Sequence, residues 1–291
     1  LPLGGDNRVD GGLGADRVAY DLWYYQQTAP VSGVNINLTA GAAIGPYGGA
    51  NTDTLISIER ATGTAFADTM YGDAVNNRFN GRAGDDVLNG GPGSDFAEYF
   101  NAPVGVVVNL TAGTANDGEG GTDVLISMES AIGSNFADTI TGAVGPAYTN
   151  SVLFGGQGND LLISPLTAAQ LQAANAFVSV SLTPTGAATV DLAQGTANTP
   201  GSGIDTLQDI NGAVVTGSFT FTLLGTELDN LFQAGSAADT IDGRGGTDVV
   251  TYQDDLTNGR TGVVVNLVAG TAVDAAGSTD RLISIEGALG Y

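Results

Sequence analysis

Residues 80–96, NGRAGDDVLNGGPGSDF, contain one pattern twice, with the copies nine residues apart. The residues that the two copies share are Gly81 and Gly90, Gly84 and Gly93, and Asp86 and Asp95. Glycine is favoured where the backbone takes a positive φ or where another group approaches closely. An aspartate at a fixed place in such turns would stack against its equivalents, and stacked carboxylates repel each other unless a cation neutralises them. The stretch therefore predicts glycine-rich turns with carboxylates in register.

The nine-residue pattern continues in register beyond this stretch. One run has four copies, GTAFADTMY (63–71), GDAVNNRFN (72–80), GRAGDDVLN (81–89) and GGPGSDFAE (90–98). A second run covers 225–233, 234–242 and 243–251, and isolated copies lie at 11–19, 133–141 and 155–163. The sixth position of each copy is a candidate metal ligand, and these residues are Asp16, Asp68, Asn77, Asp86, Asp95, Asp138, Asp160, Asn230, Asp239 and Asp248.

A longer segment surrounds these runs and occurs four times. Its copies are GVNINLTAGAA (33–43), GVVVNLTAGTA (105–115), GAATVDLAQGTA (186–197) and GVVVNLVAGTA (262–272). They are followed by TDTLISIE (52–59), TDVLISME (122–129), IDTLQDIN (204–211) and TDRLISIE (279–286). The nonapeptide pattern is visible here too, because GEGGTDVLI (118–126) has Asp123 at its sixth position. We predict a single elongated solenoid of four degenerate modules, at about 1–62, 63–132, 133–224 and 225–291.

The fold class follows from the spacing of apolar stretches and turns. Short β-branched stretches such as GVVVNL and DVLISM, separated by Gly, Asp and Asn, are typical of strands. Because no such strand can bury an apolar face alone, neighbouring coils must stack. The sequence predicts an all-β parallel β-solenoid with at most one short helix. That helix is predicted over 164–177, with Ser164 as its N-cap and Pro165 in its first turn.

Composition restricts the chemistry. The 291 residues carry 31 acidic and 8 basic side chains, all of the latter arginine, for a net charge of −23, and they include no Cys and no His. Zinc sites, thiol chemistry and histidine-dependent triads are therefore excluded. The negative charge argues against nucleic acid and anionic membranes as partners and favours a multivalent cation. With no His, Cys or Lys, we predict that the chain is not an enzyme, and the lack of a long apolar run predicts no membrane insertion.

Three copies, GGPGSDFAE, GGLGADRVA and GGQGNDLLI, resemble the nonapeptide G-G-x-G-x-D-x-U-x of RTX (repeats-in-toxin) proteins. Residues 105–142 look like the segment that alternates with RTX repeats in large secreted bacterial surface proteins. The resemblance implies a right-handed β-roll with several Ca²⁺ ions between successive turns, bound by turn carbonyls and the sixth-position side chains. It pairs repeats two apart, namely Asp68 with Asp86, Asn77 with Asp95, and Asn230 with Asp248. Ca²⁺ itself prefers six to eight oxygen ligands, which such turns can supply.

The predicted function is a calcium-stabilised structural repeat protein of a bacterial extracellular or cell-surface assembly, such as an adhesin, S-layer or filament. Two alternatives stay open, a non-catalytic RTX repeat region of a secreted hydrolase or polysaccharide-modifying enzyme, and a glycan-binding solenoid. The expected partners are calcium, further copies of the chain end to end or laterally, and surface polysaccharide. The C-terminal LISIEGALGY (282–291) matches internal segments that lead into nonapeptides. We therefore expect either an excerpt of a longer array or copies that stack end to end.

Two further sets of residues have open roles. The first set precedes the LIS-type strands, where its members either cap turns or bind calcium, and it consists of Asp53, Asp123, Asp205 and Asp280. The second set, four residues after a sixth-position Asp, is Tyr20, Tyr99 and Tyr252. For these tyrosines, packing at a coil corner is favoured over glycan binding. The segment DLWYYQQ (21–27), with the sole Trp, is either buried locally or a contact patch for a subunit or sugar.

Overall fold

The computed structural model describes residues 5–21, 29–45, 47, 51–145, 150–252, 262–274 and 276–290. The chain divides into two compact units, Leu1–Asn135 and Phe136–Tyr291. The boundary between the units lies close to the one predicted between the second and third modules. The division into four modules of one solenoid stays a prediction.

The first unit is built from strands of three to five residues joined by glycine-rich turns. They are β1 (Arg8–Asp10), β2 (Arg17–Ala19), β3 (Asn35–Asn37), β4 (Ala42–Ile44), β5 (Thr52–Ile56), β6 (Arg60–Thr62), β7 (Thr69–Tyr71), β8 (Arg78–Asn80), β9 (Val87–Asn89), β10 (Phe96–Glu98), β11 (Val107–Asn109), β12 (Thr114–Asn116), β13 (Thr122–Ile126) and β14 (Ser130–Ile132).

These strands form two sheets, and successive nonapeptides alternate between them. Sheet A contains β1, β3, β4, β5, β7, β9, β11, β12 and β13, and sheet B contains β2, β6, β8, β10 and β14. Within the repeat run, β7 pairs in parallel with β9, which aligns Met70 with Leu88, and β8 pairs in parallel with β10. One coil therefore contains two nonapeptides. The middle residue of each three-residue strand points into the core, because side chains alternate along a strand, and Met70, Phe79 and Leu88 are fully buried.

The longer segment of each module folds as a three-stranded antiparallel meander within sheet A. In the first unit, β3 pairs with β4 and β4 with β5, while β11, β12 and β13 repeat this arrangement. The third strand then takes the place of a nonapeptide strand, since β13 pairs in parallel with β9 and aligns Leu125 with Leu88. The turn needs Gly113, whose φ is 71°, because a Cβ there would lie 2.7 Å from the Leu125 carbonyl oxygen. The sequence predicted the outer strands of this meander, in GVVVNL and DVLISM, but neither its middle strand nor the antiparallel pairing.

The second unit repeats the scheme. Its elements are β15 (Thr139–Thr141), β16 (Asn150–Phe154), β17 (Leu161–Ile163), α1 (Ala168–Ala174), β18 (Phe177–Leu182), β19 (Ala188–Asp191), β20 (Thr196–Thr199), β21 (Gly203–Gln208), β22 (Gly212–Val215), β23 (Phe221–Leu224), β24 (Leu231–Gln233), β25 (Thr240–Asp242), β26 (Val249–Thr251), β27 (Val264–Asn266), β28 (Thr271–Val273), β29 (Thr279–Ile283) and β30 (Gly287–Leu289). Two antiparallel meanders, β19–β21 and β27–β29, lie among otherwise parallel pairs.

The predicted fold class, an all-β parallel solenoid with at most one short helix, is confirmed in both units. The helix itself is shorter than predicted, and its N-cap is Thr167 rather than Ser164. Thr167 forms a reciprocal capping box with Gln170, whereas the Ser164 hydroxyl donates to the Leu166 carbonyl at 2.6 Å within a preceding turn. No helix within the described ranges is long and apolar enough to cross a membrane.

Candidate metal centre

Acidic side chains from successive coils stack in register at the turn before each strand. The Asp68 backbone N–H donates to Oδ1 of Asp86 at 2.7 Å, and the Asp86 N–H donates to Oδ1 of Asp123 at 3.1 Å. On the sheet B side, the Asn77 N–H donates to Oδ1 of Asp95 at 2.6 Å. We call these rows the carboxylate ladders. The predicted neighbours Asp68 and Asp86, and Asn77 and Asp95, are thus brought together.

The second unit has the same ladders. The Asp138 N–H donates to Oδ1 of Asp160 at 2.9 Å, and the Asp160 N–H to Oδ1 of Asp205 at 3.1 Å. The remaining contacts join Asn230 N–H to Asp248 Oδ1 at 2.8 Å and Asp239 N–H to Asp280 Oδ1 at 2.8 Å. The sixth-position residues of isolated repeats therefore also lie beside side chains of another coil, and the sequence analysis did not identify these neighbours. Asp16 is a further case, because its N–H donates to Glu59 Oε2 at 2.9 Å.

Glutamates that the sequence analysis missed complete the ladders on the sheet B side. The Asp95 N–H donates to Oε2 of Glu129 at 2.8 Å, and the Asp248 N–H to Oε2 of Glu286 at 2.9 Å. With Glu59, these residues close the segments LISIE, LISME and LISIE. The repetition of a glutamate at that place was the available signal. The third module has Asn211 there, and its Oδ1 accepts from the Val178 N–H at 2.9 Å.

Glycines leave the space that the stacked carboxylates occupy. A Cβ on Gly81, at position one of its repeat, would overlap Oδ2 of Asp86. Gly84, at position four, has φ of 125°, and a Cβ there would lie 2.6 Å from the Phe66 carbonyl carbon of the neighbouring coil. Any larger residue at these places would displace the carboxylate or separate the coils.

Carbonyl oxygens line the same turns. The Gly81 carbonyl oxygen lies against Gly63, and the Gly243 carbonyl oxygen lies 2.5 Å from where a Cβ of Gly225 would be. Carbonyl and carboxylate oxygens are the ligands that Ca²⁺ prefers. The donor set therefore fits a calcium ion in chemical type.

Some ladder carboxylates have an oxygen without any hydrogen-bond partner. Among the described residues, this buried and unpartnered atom is Oδ2 of Asp16, Asp86, Asp95, Asp160 and Asp248. All five residues occupy the sixth position of a nonapeptide. Leaving a buried acceptor unsatisfied costs about 1–3 kcal/mol, and more when the group is charged. These atoms are therefore where a cation would be most stabilising.

The electrostatics of the ladders are those of buried acids that lack a counter-charge. The pKa of Asp86 is raised to about 8, mainly by burial and also by the neighbouring Asp123 carboxylate, although the hydrogen bond from the Asp68 N–H lowers it. Burial likewise raises the pKa of Asp248 to about 7 and that of Asp95 to about 6. Either a proton or a metal ion would relieve the charge.

Other predicted ligands already accept backbone hydrogen bonds, from their own turn or from another segment of the chain. Asp68 accepts from the Val34 N–H at 2.6 Å through Oδ1 and from the Thr64 N–H at 2.6 Å through Oδ2. Oδ1 of Asn230 accepts from the Thr226 N–H at 2.7 Å. The remaining members of this group accept comparable backbone hydrogen bonds, and they are Asn77 and Asp239. The structure thus separates the predicted ligands into satisfied and unsatisfied side chains.

Tyrosine hydroxyls donate hydrogen bonds to the second carboxylate oxygen of two aspartates in the meanders, Asp53 and Asp123. Tyr20 donates through its hydroxyl to Oδ2 of Asp53 at 2.9 Å, and Tyr99 donates to Oδ2 of Asp123 at 2.9 Å. Because Oδ1 of Asp123 accepts from Asp86, both oxygens of Asp123 are engaged. The predicted packing role of Tyr20, Tyr99 and Tyr252 is confirmed, since all three are buried. The segment DLWYYQQ lies outside the described residues except for its first residue.

We expect Tyr99→Phe to destabilise the protein by about 1–3 kcal/mol, because Oδ2 of Asp123 would lose its donor in the interior. The midpoint of urea unfolding in the presence of calcium measures the loss of stability. The number of bound calcium ions, measured alongside, should not change. Tyr71→Phe is the matched control, because Tyr71 is exposed on sheet A. Equal midpoints for the two variants would contradict the role of the tyrosine hydroxyl.

Within the described ranges, no group of three or more acidic side chains converges to hold a metal ion. A calcium ion in these turns would therefore take most of its six to eight oxygens from backbone carbonyls. Each ladder position would contribute one or two carboxylate oxygens.

A parallel roll whose glycine turns stack carboxylates in register defines a repeat protein of the metal-binding solenoid class. The family model of the RTX calcium-binding nonapeptide repeat matches the chain in four copies, at residues 3–21, 62–97, 149–164 and 224–254. The chain thus contains RTX calcium-binding nonapeptide repeats, and such repeats bind calcium. All five unsatisfied aspartates lie within these copies, whereas Asp123 and Asp138 lie outside them. No curated protein matches the chain.

Proposed function

We propose that the chain is a calcium-stabilised structural module of a bacterial extracellular or cell-surface assembly, such as an adhesin, S-layer or filament. The observation that carries the proposal is the set of buried, unpartnered Oδ2 atoms in the glycine turns of the RTX repeats. Asp16, Asp86, Asp95, Asp160 and Asp248 would hold several ions together with turn carbonyls. The bound ions would neutralise the ladders and hold successive coils together.

A structural role agrees with the thinness of the core. A three-residue strand such as β7 or β9 buries its middle residue fully, while its outer two residues stay partly or fully exposed. Each coil therefore contributes little apolar burial, and coils contact mainly their neighbours. When a site forms only in the folded state, its binding energy is part of the folding energy.

The placement of the carboxylates supports a non-enzymatic function. Two carboxylates can hydrolyse glycosides when both reach the substrate. Asp86 is only 1% exposed and Asp95 is fully buried, so neither reaches a ligand outside the turns. The sequence offers no His, Lys or Cys as an alternative acid, base or nucleophile.

An extracellular location agrees with the donor set. RTX repeats are typical of secreted bacterial proteins. Sites with one carboxylate per position and many carbonyls carry little negative charge, and extracellular calcium modules bind with Kd values of about 10⁻⁴–10⁻³ M. Calcium at such concentrations would load the turns outside the cell.

We expect Asp86→Asn to bind fewer calcium ions per chain than the parent protein. Asparagine keeps Oδ1 as the acceptor for the Asp68 N–H but removes the charge that the ion requires. Equilibrium dialysis with metal analysis gives the stoichiometry. Asp10→Asn is the matched control, because it removes one acidic charge from an exposed strand residue paired with Arg8. Equal stoichiometry in Asp86→Asn and the parent would exclude Asp86 as a ligand.

A further inference from the structure

A row of arginines crosses the outer face of sheet B in the first unit. Arg17 of β2 aligns with Arg60 of β6, and Arg60 aligns with Arg78 of β8. Phe96 of β10 continues the row next to Arg78. These four residues, the basic row, hold the first position of their strands and so point away from the core, because the second position is buried. Neighbouring members are one strand spacing apart, about 4.8 Å.

The row is exceptional in so acidic a chain. The sequence has 8 basic residues against 31 acidic ones, and three of the eight arginines stand in this row. Like charges on adjacent strands are destabilising when they are directly opposite. A purely structural role would therefore favour neutral or alternating residues at these positions.

Ion pairs and aromatic rings position two of the three arginines, Arg17 and Arg78, and the row carries more positive charge than the one carboxylate it contacts. The Glu98 carboxylate contacts Arg17 at 2.6 Å and Arg78 at 3.6 Å. The Arg78 guanidinium lies 4.5 Å from the centroid of the Phe96 ring, and that of Arg17 lies 5.4 Å from the Phe100 ring. Two of the three guanidinium groups thus share one carboxylate, and Arg60 has no ion-pair partner in the described part of the chain. Such preorganisation lowers the entropy lost when a ligand binds.

We propose that the basic row binds a linear anionic polysaccharide with a carboxylate on each sugar. The planar guanidinium matches a carboxylate with two parallel hydrogen bonds. A linear polyanion can place successive charges on successive strands of the row, and the Phe96 ring offers an apolar surface to a sugar face. The overall negative charge does not prevent this contact, since fields are screened beyond about 8–10 Å at physiological salt.

Other polyanions fit the row less well. Double-stranded DNA carries one charge per about 1.7 Å of its axis and is bound through many basic contacts. Three arginines in a chain of net charge −23 do not provide such a surface. The proposal adds a ligand to the structural function and does not depend on which aspartates bind calcium.

Isothermal titration with galacturonate oligomers too short to gel with calcium tests the proposal. We expect the parent protein to bind them, to bind more weakly as salt is added, and to ignore the neutral galactose oligomers. Arg60→Ala should raise Kd about tenfold, the equivalent of one charged hydrogen-bond pair. Arg60→Lys should retain part of the affinity. Arg281→Ala, on an exposed position of β29 in the other unit, is the matched control and should bind like the parent.

Circular dichroism in calcium checks that each variant folds, and Arg60→Gln replaces Arg60→Ala if the latter does not. Binding by the folded Arg60 variant with the parent's Kd would overturn the proposal. Equal binding of neutral oligomers would overturn it as well. If the Arg60 variant instead loses self-association in the absence of sugar, the row is a contact between copies of this chain and the polysaccharide assignment is wrong.

Discussion

Chelation of calcium at low ionic strength should abolish most of the β signal in circular dichroism and expand the chain. Among the described residues, five aspartates at the sixth position of a nonapeptide each have a buried oxygen without a protein partner. At about 1–3 kcal/mol or more for each of them, their total cost is comparable to the 5–15 kcal/mol by which a typical domain is stable. Light scattering or small-angle X-ray scattering measures the expansion.

Readdition of calcium should restore the spectrum and the compact size, whereas magnesium should not. Magnesium demands near-octahedral geometry at short distances and gives up its waters reluctantly, so turns built from fixed carbonyls suit it poorly. A spectrum unchanged after complete removal of calcium would disprove the calcium-dependent fold. Full recovery with magnesium would show that the turns need only a divalent charge.

The second large effect is on pH dependence in the absence of calcium. Calcium-free protein should be more stable at about pH 5 than at about pH 8. Burial raises the folded-state pKa of Asp86 to about 8, of Asp248 to about 7 and of Asp95 to about 6, from an ordinary value of 3.8. A raised carboxyl pKa means that the folded state binds protons more tightly than the unfolded state. That stability is complete below the unfolded pKa and is lost as pH rises through about 6 to 8.

The β signal of protein freed of calcium by a chelating resin, recorded at each pH and followed by urea unfolding wherever the signal persists, measures this dependence. Calcium should reverse it, because the ion binds the deprotonated carboxylates and proton release accompanies binding. Asp86→Asn should flatten the calcium-free profile, since its amide does not titrate, and Asp10→Asn should leave the profile unchanged. Greater stability at pH 8 than at pH 5 without calcium would contradict the burial of uncompensated acids.

Local sequence signals placed the start of α1 too early and therefore overestimated its length. Ser164 followed by Pro165 satisfies the usual rules for a helix start, but the helix begins after Thr167. Both hydroxyl residues can cap a helix, but only Thr167 has a partner at the N3 position. The Gln170 N–H donates to Oγ1 of Thr167 at 3.4 Å, and Oε1 of Gln170 accepts from the Thr167 N–H at 2.9 Å. The start of α1 was therefore decided by a side-chain pair rather than by the cap residue alone.

In the repeat runs, the sequence by itself determined how the chain coils and which side chains of successive coils become neighbours. A constant nine-residue period with two repeats per coil places each sixth-position residue beside the residue eighteen positions on, as for Asp68 and Asp86. The alternation of side chains along a three-residue strand likewise determines that Phe79 and Leu88 are buried. Wherever the repeat spacing is constant, periodicity and sterics are sufficient to predict which residues are neighbours and which are buried.

Only the tertiary structure decided how the meanders join the ladders and which carboxylates stay unsatisfied. Asp86 meets Asp123 at a separation of 37 residues, whereas Asp160 meets Asp205 at 45, so no fixed period identifies these contacts. The hydroxyl of Tyr99 reaches Oδ2 of Asp123, while Oδ2 of Asp86 has no donor. Identical residues in equivalent turns thus differ in charge compensation, because hydrogen-bond partners depend on which distant segments the fold places beside each turn.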